Sequence, residues 1–351
     1  MLTLQTVSEN IRTGAKWIGL GIGAIVIIMI VLGVGKNLKE LISPTPKAPP
    51  TVEFGLLPEV LFPISVTSEK LNYSLNTLSG SLPAFSDRIA VHPTIYNSPN
   101  LLALQRAREK VNQLGFTTNP VLISPTVYSW NNSELGKKIV LNTLDYTFTL
   151  TSDYLNNPFV LTASNLPKES EAITKSRTLM EFLGDSPDDI DEKSTKSTLL
   201  SIRNSEMIPA TSFSNTQIIR VDFYQKNIDE TPIVYNNPPF SNMSFFVTGG
   251  QSEGQISNAE FFHTKIATES ATYPIKTAGE AFEDLKKGNV YIASLEGNPD
   301  LVTIKDVFLA YFIGNEKQEY LWPVVVFKGD NNFYGYVSAV KSDWIKKANE
   351  Q

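Results

Sequence analysis

The apolar and polar positions along this chain change period several times, and each change marks an element. "WIGLGIGAIVIIMIVLGVG", residues 17–35, is apolar on every side and carries no charge. A segment apolar all round is either deeply buried or lies in a membrane. At about 1.5 Å per residue it measures roughly 28 Å, close to the hydrocarbon thickness of a bilayer. Trp17 stands at its edge, where interfacial aromatics gather. The run is longer than that of a cleaved signal peptide, and no clear A-x-A-like site accompanies it. The pattern predicts a retained single-pass anchor in the lipid bilayer. "SPTPKAPPT", residues 43–51, has four prolines in nine positions. Such a stretch favours extended polyproline II and acts as a semi-rigid spacer.

Beyond the spacer, stretches of period 3.6 alternate with stretches of period 2. In "YPIKTAGEAFEDLKKGNVYIA", residues 273–293, Ala278, Ala281, Phe282 and Leu285 fall on one helical face. Thr277 and Glu280 have the spacing of a capping box, and Gly288 is placed to end the helix in a left-handed conformation. A second helix is predicted in "SPNLLALQRAREKVNQLG", with Ser98 as cap, Pro99 at the first position and Leu101, Leu104, Ala107, Val111 and Leu114 as its stripe. A third runs from Pro167 to Gly184, lined by Ile173, Ser176, Met180 and Leu183. A fourth is predicted in "DSPDDIDEKSTKSTLLSI", where Ser186 caps, Pro187 starts and acidic residues fill the first turn.

The strands predicted by period 2 include "VLISPTVYSW", "KKIVLNTLDYTFTLTSDY", "TQIIRVDFYQ", "NMSFFVTGG" and "QISNAEFFHTKI". After the 278–287 helix come "LVTIKDVFLAYFIG", "EYLWPVVVFKG" and "NFYGYVSAV", expected to pair antiparallel, with "GDNN" at 329–332 as a hairpin turn. The apolar phase changes parity at Lys305-Asp306, which predicts a bulge. A helix followed by strands thus recurs about three times, a weak internal repeat. The expectation is an α+β fold. Its predicted organisation is a cytoplasmic tail (1–16), the anchor (17–35), a proline-rich linker (36–52) and three helix-plus-antiparallel-sheet modules at 53–164, 165–272 and 273–351.

Charge and composition narrow the function. The net charge is −6 and there is no basic run, which argues against nucleic acid as a partner. The chain has no cysteine, which excludes disulfides, thiolate metal sites and cysteine nucleophiles. Arg12 and Lys16 flank one side of the anchor and Lys36, Lys39 and Lys47 the other, so basic residues do not set its orientation. A short tail before a large soluble part is the layout of a signal anchor, with the soluble part outside the cytoplasm.

Motifs for catalysis are missing. The sequence holds no nucleophile elbow, P-loop or H-E-x-x-H pattern, and no cofactor or metal site is expected. The two histidines, His92 and His263, sit before a proline and in a strand, and each reads as structural. "DSPDDIDE" lacks the alternating ligands of a calcium loop. Tyr320 and Trp322 share one strand face, and Tyr334 and Tyr336 share one in the next. If exposed, these faces form a partner-binding patch with Pro323; if covered by the 278–287 helix, they are core. Pro323 lacks a donor, which predicts an edge strand or a bulge where a partner chain can add on.

Ala281, Phe282, Leu285 and Gly288, followed by Tyr320, Trp322, Pro323 and Val324–Phe327, resemble the pattern of YycI/YycH-type extracytoplasmic regulators. "RVDFYQKNIDETPIVY" is similar to PepSY-like domains, although the turn at Asp229-Glu230-Thr231-Pro232 has no glycine. The resemblance covers roughly residues 217–341. It implies a non-catalytic domain that binds a membrane or envelope protein, and it transfers no functional residue. The alternatives are an anchored hydrolase of peptide or glycan, and a structural spacer of the envelope.

Overall fold

The computed structural model describes residues 49–346 except 68, 99, 185 and 251–254. The tail (1–16), the anchor (17–35) and most of the linker lie outside the described residues. Among those described, no helix is long and apolar enough to cross a membrane.

The described residues begin with β1 (Asn72–Leu75) and β2 (Arg88–Ile95), pass through α1 (Ala103–Gln113), and lay down β3 (Val121–Ser124), β4 (Val127–Asn132), β5 (Lys137–Asn142) and β6 (Phe148–Ser152). Helices α2 (Pro158–Leu161) and α3 (Glu169–Leu183) follow. Then come β7 (Lys196–Arg203), β8 (Glu206–Pro209), β9 (Ile218–Phe223), β10 (Ile233–Val234), β11 (Met243–Thr248), β12 (Gln255–Phe261), β13 (Lys265–Ile266) and β14 (Ala271–Pro274). Helix α4 (Ala278–Lys287) leads into β15 (Tyr291–Ser294), β16 (Leu301–Phe312), β17 (Tyr320–Gly329) and β18 (Tyr334–Ser338). The fold is mostly strand, with helices laid on large sheets.

Among the described residues the strands form two sheets of nine. One runs β3-β4-β5-β6-β12-β11-β9-β7-β8 and is antiparallel throughout. The other runs β1-β16-β17-β18-β15, with β2 on β17, β13 and β14 on β2, and β10 on β16. Here β1 and β10 lie parallel to β16, which the sequence reading did not anticipate. The sheets divide the chain differently from the expected modules. Leu150 in β6 pairs with Ala259 in β12, across the 164/165 boundary. Likewise β2 joins the C-terminal strands through Leu321↔His92.

Helices cover one face of each sheet. Helices α1 and α3 press Ala107, Val111, Met180 and Leu183 onto Trp130, Ile139, Val221, Phe245 and Phe261. Helix α4 places Ala281 and Leu285 against Val325, Phe327 and Val337 of the second sheet. That sheet's opposite face carries Phe312, Trp322, Val324, Val326 and Tyr336 under Val52, Phe54, Leu57 and Phe62.

Several predicted local features are present. Thr277 Oγ1 accepts from Glu280 N at 3.2 Å and Thr277 N donates to Glu280 Oε2 at 2.7 Å, closing the capping box. Gly288 is left-handed at φ 86°. The β16–β17 register shifts between Ile304 and Asp306, the predicted bulge. Asn331 and Asn332 take positive φ in the β17–β18 turn.

Three local expectations are corrected. Helix α1 starts at Ala103, later than expected, and Pro99 lies outside the described residues; Asn100 Oδ1 accepts from Leu102 N at 2.8 Å, holding a turn before the helix. The predicted helix in 185–202 does not form. Asp191 turns the chain by accepting from Lys193 N at 3.0 Å, and in strand β7 Lys196–Leu200 pair with β9 while Leu200–Arg203 pair with β8. Short acidic side chains that bond the nearby backbone favour turns over helix. Pro323 lies inside β17, at neither an edge nor a bulge. Its carbonyl accepts from Ala339 N at 3.0 Å, just past the end of β18. The Ala339 carbonyl, which an ordinary residue 323 would engage, is taken by Lys276 N at 2.8 Å. The proline therefore sits where a missing donor leaves no acceptor unpaired.

Candidate functional site

The five residues expected to form a partner-binding patch do not make a surface. Trp322 is 2 % exposed, Pro323 and Tyr336 are buried, Tyr334 is nearly so and Tyr320 is half-buried. The cover over the tryptophan and tyrosine face is the 52–62 segment, not α4, because α4 lies on the other side of β17. Trp322 Nε1 donates to Ser338 Oγ at 3.1 Å and Tyr336 Oη to the Tyr235 carbonyl at 3.1 Å, so their polar atoms are spent internally.

The structure instead presents a cleft of about 360 Å³, walled by β4–β6, the end of β2, the residues after β12 and the β16–β17 loop. Tyr96, Asp145, Thr147, His263, Glu316 and Lys317 line it. Tyr96 fixes the loop: its Oη donates to the Gln318 carbonyl and accepts from Gln318 N, both at 2.8 Å. Lys317 Nζ lies 4.3 Å from the Tyr96 ring centroid, a cation–π distance. Asp145 is committed to the β5–β6 turn, accepting from Thr147 N at 3.1 Å and Asn142 Nδ2 at 3.1 Å.

His263 is the most chemically specific group of the cleft wall. Its side chain is 7 % exposed, and Nε2 lies 2.6 Å from Asp189 Oδ1. Asp189 Oδ2 accepts from Gln225 Nε2 at 2.8 Å, and the same Nε2 donates to the Thr264 carbonyl at 2.9 Å. Burial raises the Asp189 carboxyl, but the His263 hydrogen bond and charge and the Gln225 hydrogen bond outweigh it, leaving the group below its ordinary value. With Nε2 held by a carboxylate, Nδ1 is the ring atom left for a ligand or water. His92 differs: Nδ1 lies 3.2 Å from the Ala267 carbonyl, and the ring packs edge-on to Tyr311.

The cleft adjoins an open sheet edge. Strand β3 pairs only with β4 among the described strands. Val121, Leu122 and Ile123 are 57 %, 62 % and 54 % exposed. Alternation would bury every second residue of a covered strand; here neither face is covered. The register shift after Leu122 leaves Ile123 without a partner in β4. One turn later Thr126 and Val127 line the cleft, so the open edge runs up to its rim.

His263 stood out in the sequence as one of two histidines. Asp189 did not, because it sat in an acidic run that read as a helix start. The consecutive apolar residues of β3 were legible as a strand but not as an edge.

No protein-family model matches the sequence, and no curated protein matches it. Among solved structures, an uncharacterized protein from Eubacterium rectale is similar at 15% identity and TM-score 0.37, over 79% of this chain and 85% of that one. YycH from Bacillus subtilis is similar at 14% identity and TM-score 0.34, over 80% of this chain and 57% of that one. The matched region thus spans a little over half of the YycH chain.

Proposed function

We propose that the chain is a single-pass anchored protein whose soluble part lies outside the cytoplasm and modulates a membrane or envelope protein by direct contact, with no reaction of its own. The observation that carries the proposal is the open edge of β3, which offers unpaired backbone flanked by Val121, Leu122 and Ile123. An extended partner segment adds to such an edge through main-chain hydrogen bonds, with side chains read by what lies alongside. The cleft at its rim would take the end of that segment.

The test places a photocrosslinking residue at Leu122 in the full-length chain in native membranes, with Leu101 as an exposed control. A discrete adduct at 122, absent at 101 and lost with Ile123→Lys, is the expected result. Equal labelling at both positions, or none at 122, rules the edge out as the contact.

The His263–Asp189 pair supports a second reading, an anchored hydrolase of peptide or glycan in which Nδ1 takes a proton from water. It requires turnover of such a substrate by the purified protein and its loss in His263→Ala with unchanged thermal stability.

A further inference from the structure

The segment after the linker carries a second exposed apolar group, and its backbone is fixed. Leu57 N donates to the Trp344 carbonyl at 2.9 Å and Lys346 N to the Leu57 carbonyl at 2.8 Å. Farther on, Val66 N donates to the Ile292 carbonyl and Ile292 N to Ser65 Oγ, both at 3.0 Å. Between these ties Phe62 turns inward, with its ring 5.3 Å from Tyr291 and 5.2 Å from Phe312. Leu61, Ile64 and Val66 turn outward, at 61 %, 96 % and 57 % exposed. Ile64 borders a groove that also holds Lys70 and the last-turn lysines of α4, Lys286 and Lys287. Glu69 lines the same groove, and Glu283 pairs with Lys286.

The sequence states what this patch would meet. Residues 36–51 separate the predicted anchor from the fixed segment. At about 3.3–3.6 Å per residue they reach at most roughly 58 Å, and the proline-rich part shortens that further. A patch tethered so closely would meet lipid at a high effective concentration. Apolar side chains rimmed by lysine suit a bilayer interface, with the lysines at the headgroups.

We propose that Leu61, Ile64 and Val66 dock on the surface of an anionic bilayer, with Lys70, Lys286 and Lys287 at its headgroups. This rests on the anchored reading above, and the test separates the two. The chain has no cysteine, so Ile64→Cys accepts a single environment-sensitive fluorophore in the full-length protein. The labelled protein is reconstituted into phosphatidylcholine vesicles with and without phosphatidylglycerol. Resistance to alkaline extraction reports the anchor. The expected result is a blue-shifted label at 64, quenched by brominated lipid at least twofold more than a label at Leu122→Cys. Phosphatidylglycerol strengthens the effect, and Lys70→Glu with Lys287→Glu weakens it. Extraction resistance with no difference between 64 and 122 overturns the docking while leaving the anchor standing. Extraction of the unmodified protein overturns both.

Discussion

His263 and Asp189, 74 residues apart in sequence, meet at 2.6 Å and fasten the loop before β7 to the end of β12. Because the Asp189 carboxyl is held below its ordinary value, the contact stabilises the fold fully above the unfolded carboxylate pKa of about 3.9. That contribution is lost as pH falls through the depressed folded value. Asp189→Asn is expected to cost about 1–3 kcal/mol at neutral pH. It should also flatten the acid limb of the stability profile, which urea unfolding at a series of pH values measures.

A second pair is largely internal. Arg220 Nε and Nη2 each lie 2.9 Å from Asp222, which is fully buried, and the guanidinium stacks 3.8 Å from the Phe240 ring. Burial raises the Asp222 carboxyl and Arg220 offsets only part of that rise. Arg220→Met removes the counter-charge and should cost about 3–5 kcal/mol, as breaking buried pairs does. Asp222 then holds its proton more tightly when folded, so the deficit should shrink on acidification. A variant whose deficit is independent of pH would contradict that assignment.

The aromatic residues of β17 and β18 give a direct contrast between surface and core. Trp322→Ala on a partner-binding face would leave stability nearly unchanged. Buried under Phe54, Leu57 and Phe62, it is expected to lose about 3–5 kcal/mol. Thermal unfolding of the purified protein decides this without knowledge of any partner.

The features legible in the sequence are those set by neighbours a few residues away. The 277–288 helix with both caps, the 305–306 bulge and the 329–332 turn depend on local backbone chemistry, and each is present. The features that were not legible depend on distant pairing. Nothing near Pro323 shows that Lys276 will occupy the carbonyl its absent donor would have used. Nothing in "DSPDDIDE" shows that Asp189 will be drawn to His263 rather than left at a helix start. The cover on Trp322 was misplaced for the same reason: alternation predicts that β17 has two faces, but not that the 52–62 segment covers one of them.

Helix α4 tests the local part of that division at both ends. Thr277→Ala removes the hydroxyl that accepts from Glu280 N and should cost about 1 kcal/mol. Gly288→Ala meets no atom within 4 Å, so its whole cost is the left-handed backbone, about 1–2 kcal/mol. The two positions share no contact, and their effects should add within about 0.5 kcal/mol. Urea unfolding of the two single variants and the double variant measures this. A markedly sub-additive double variant would mean that the helix already frays as a unit when either end is lost. The stability of α4 would then come from Ala281 and Leu285 on the sheet, with its caps contributing little.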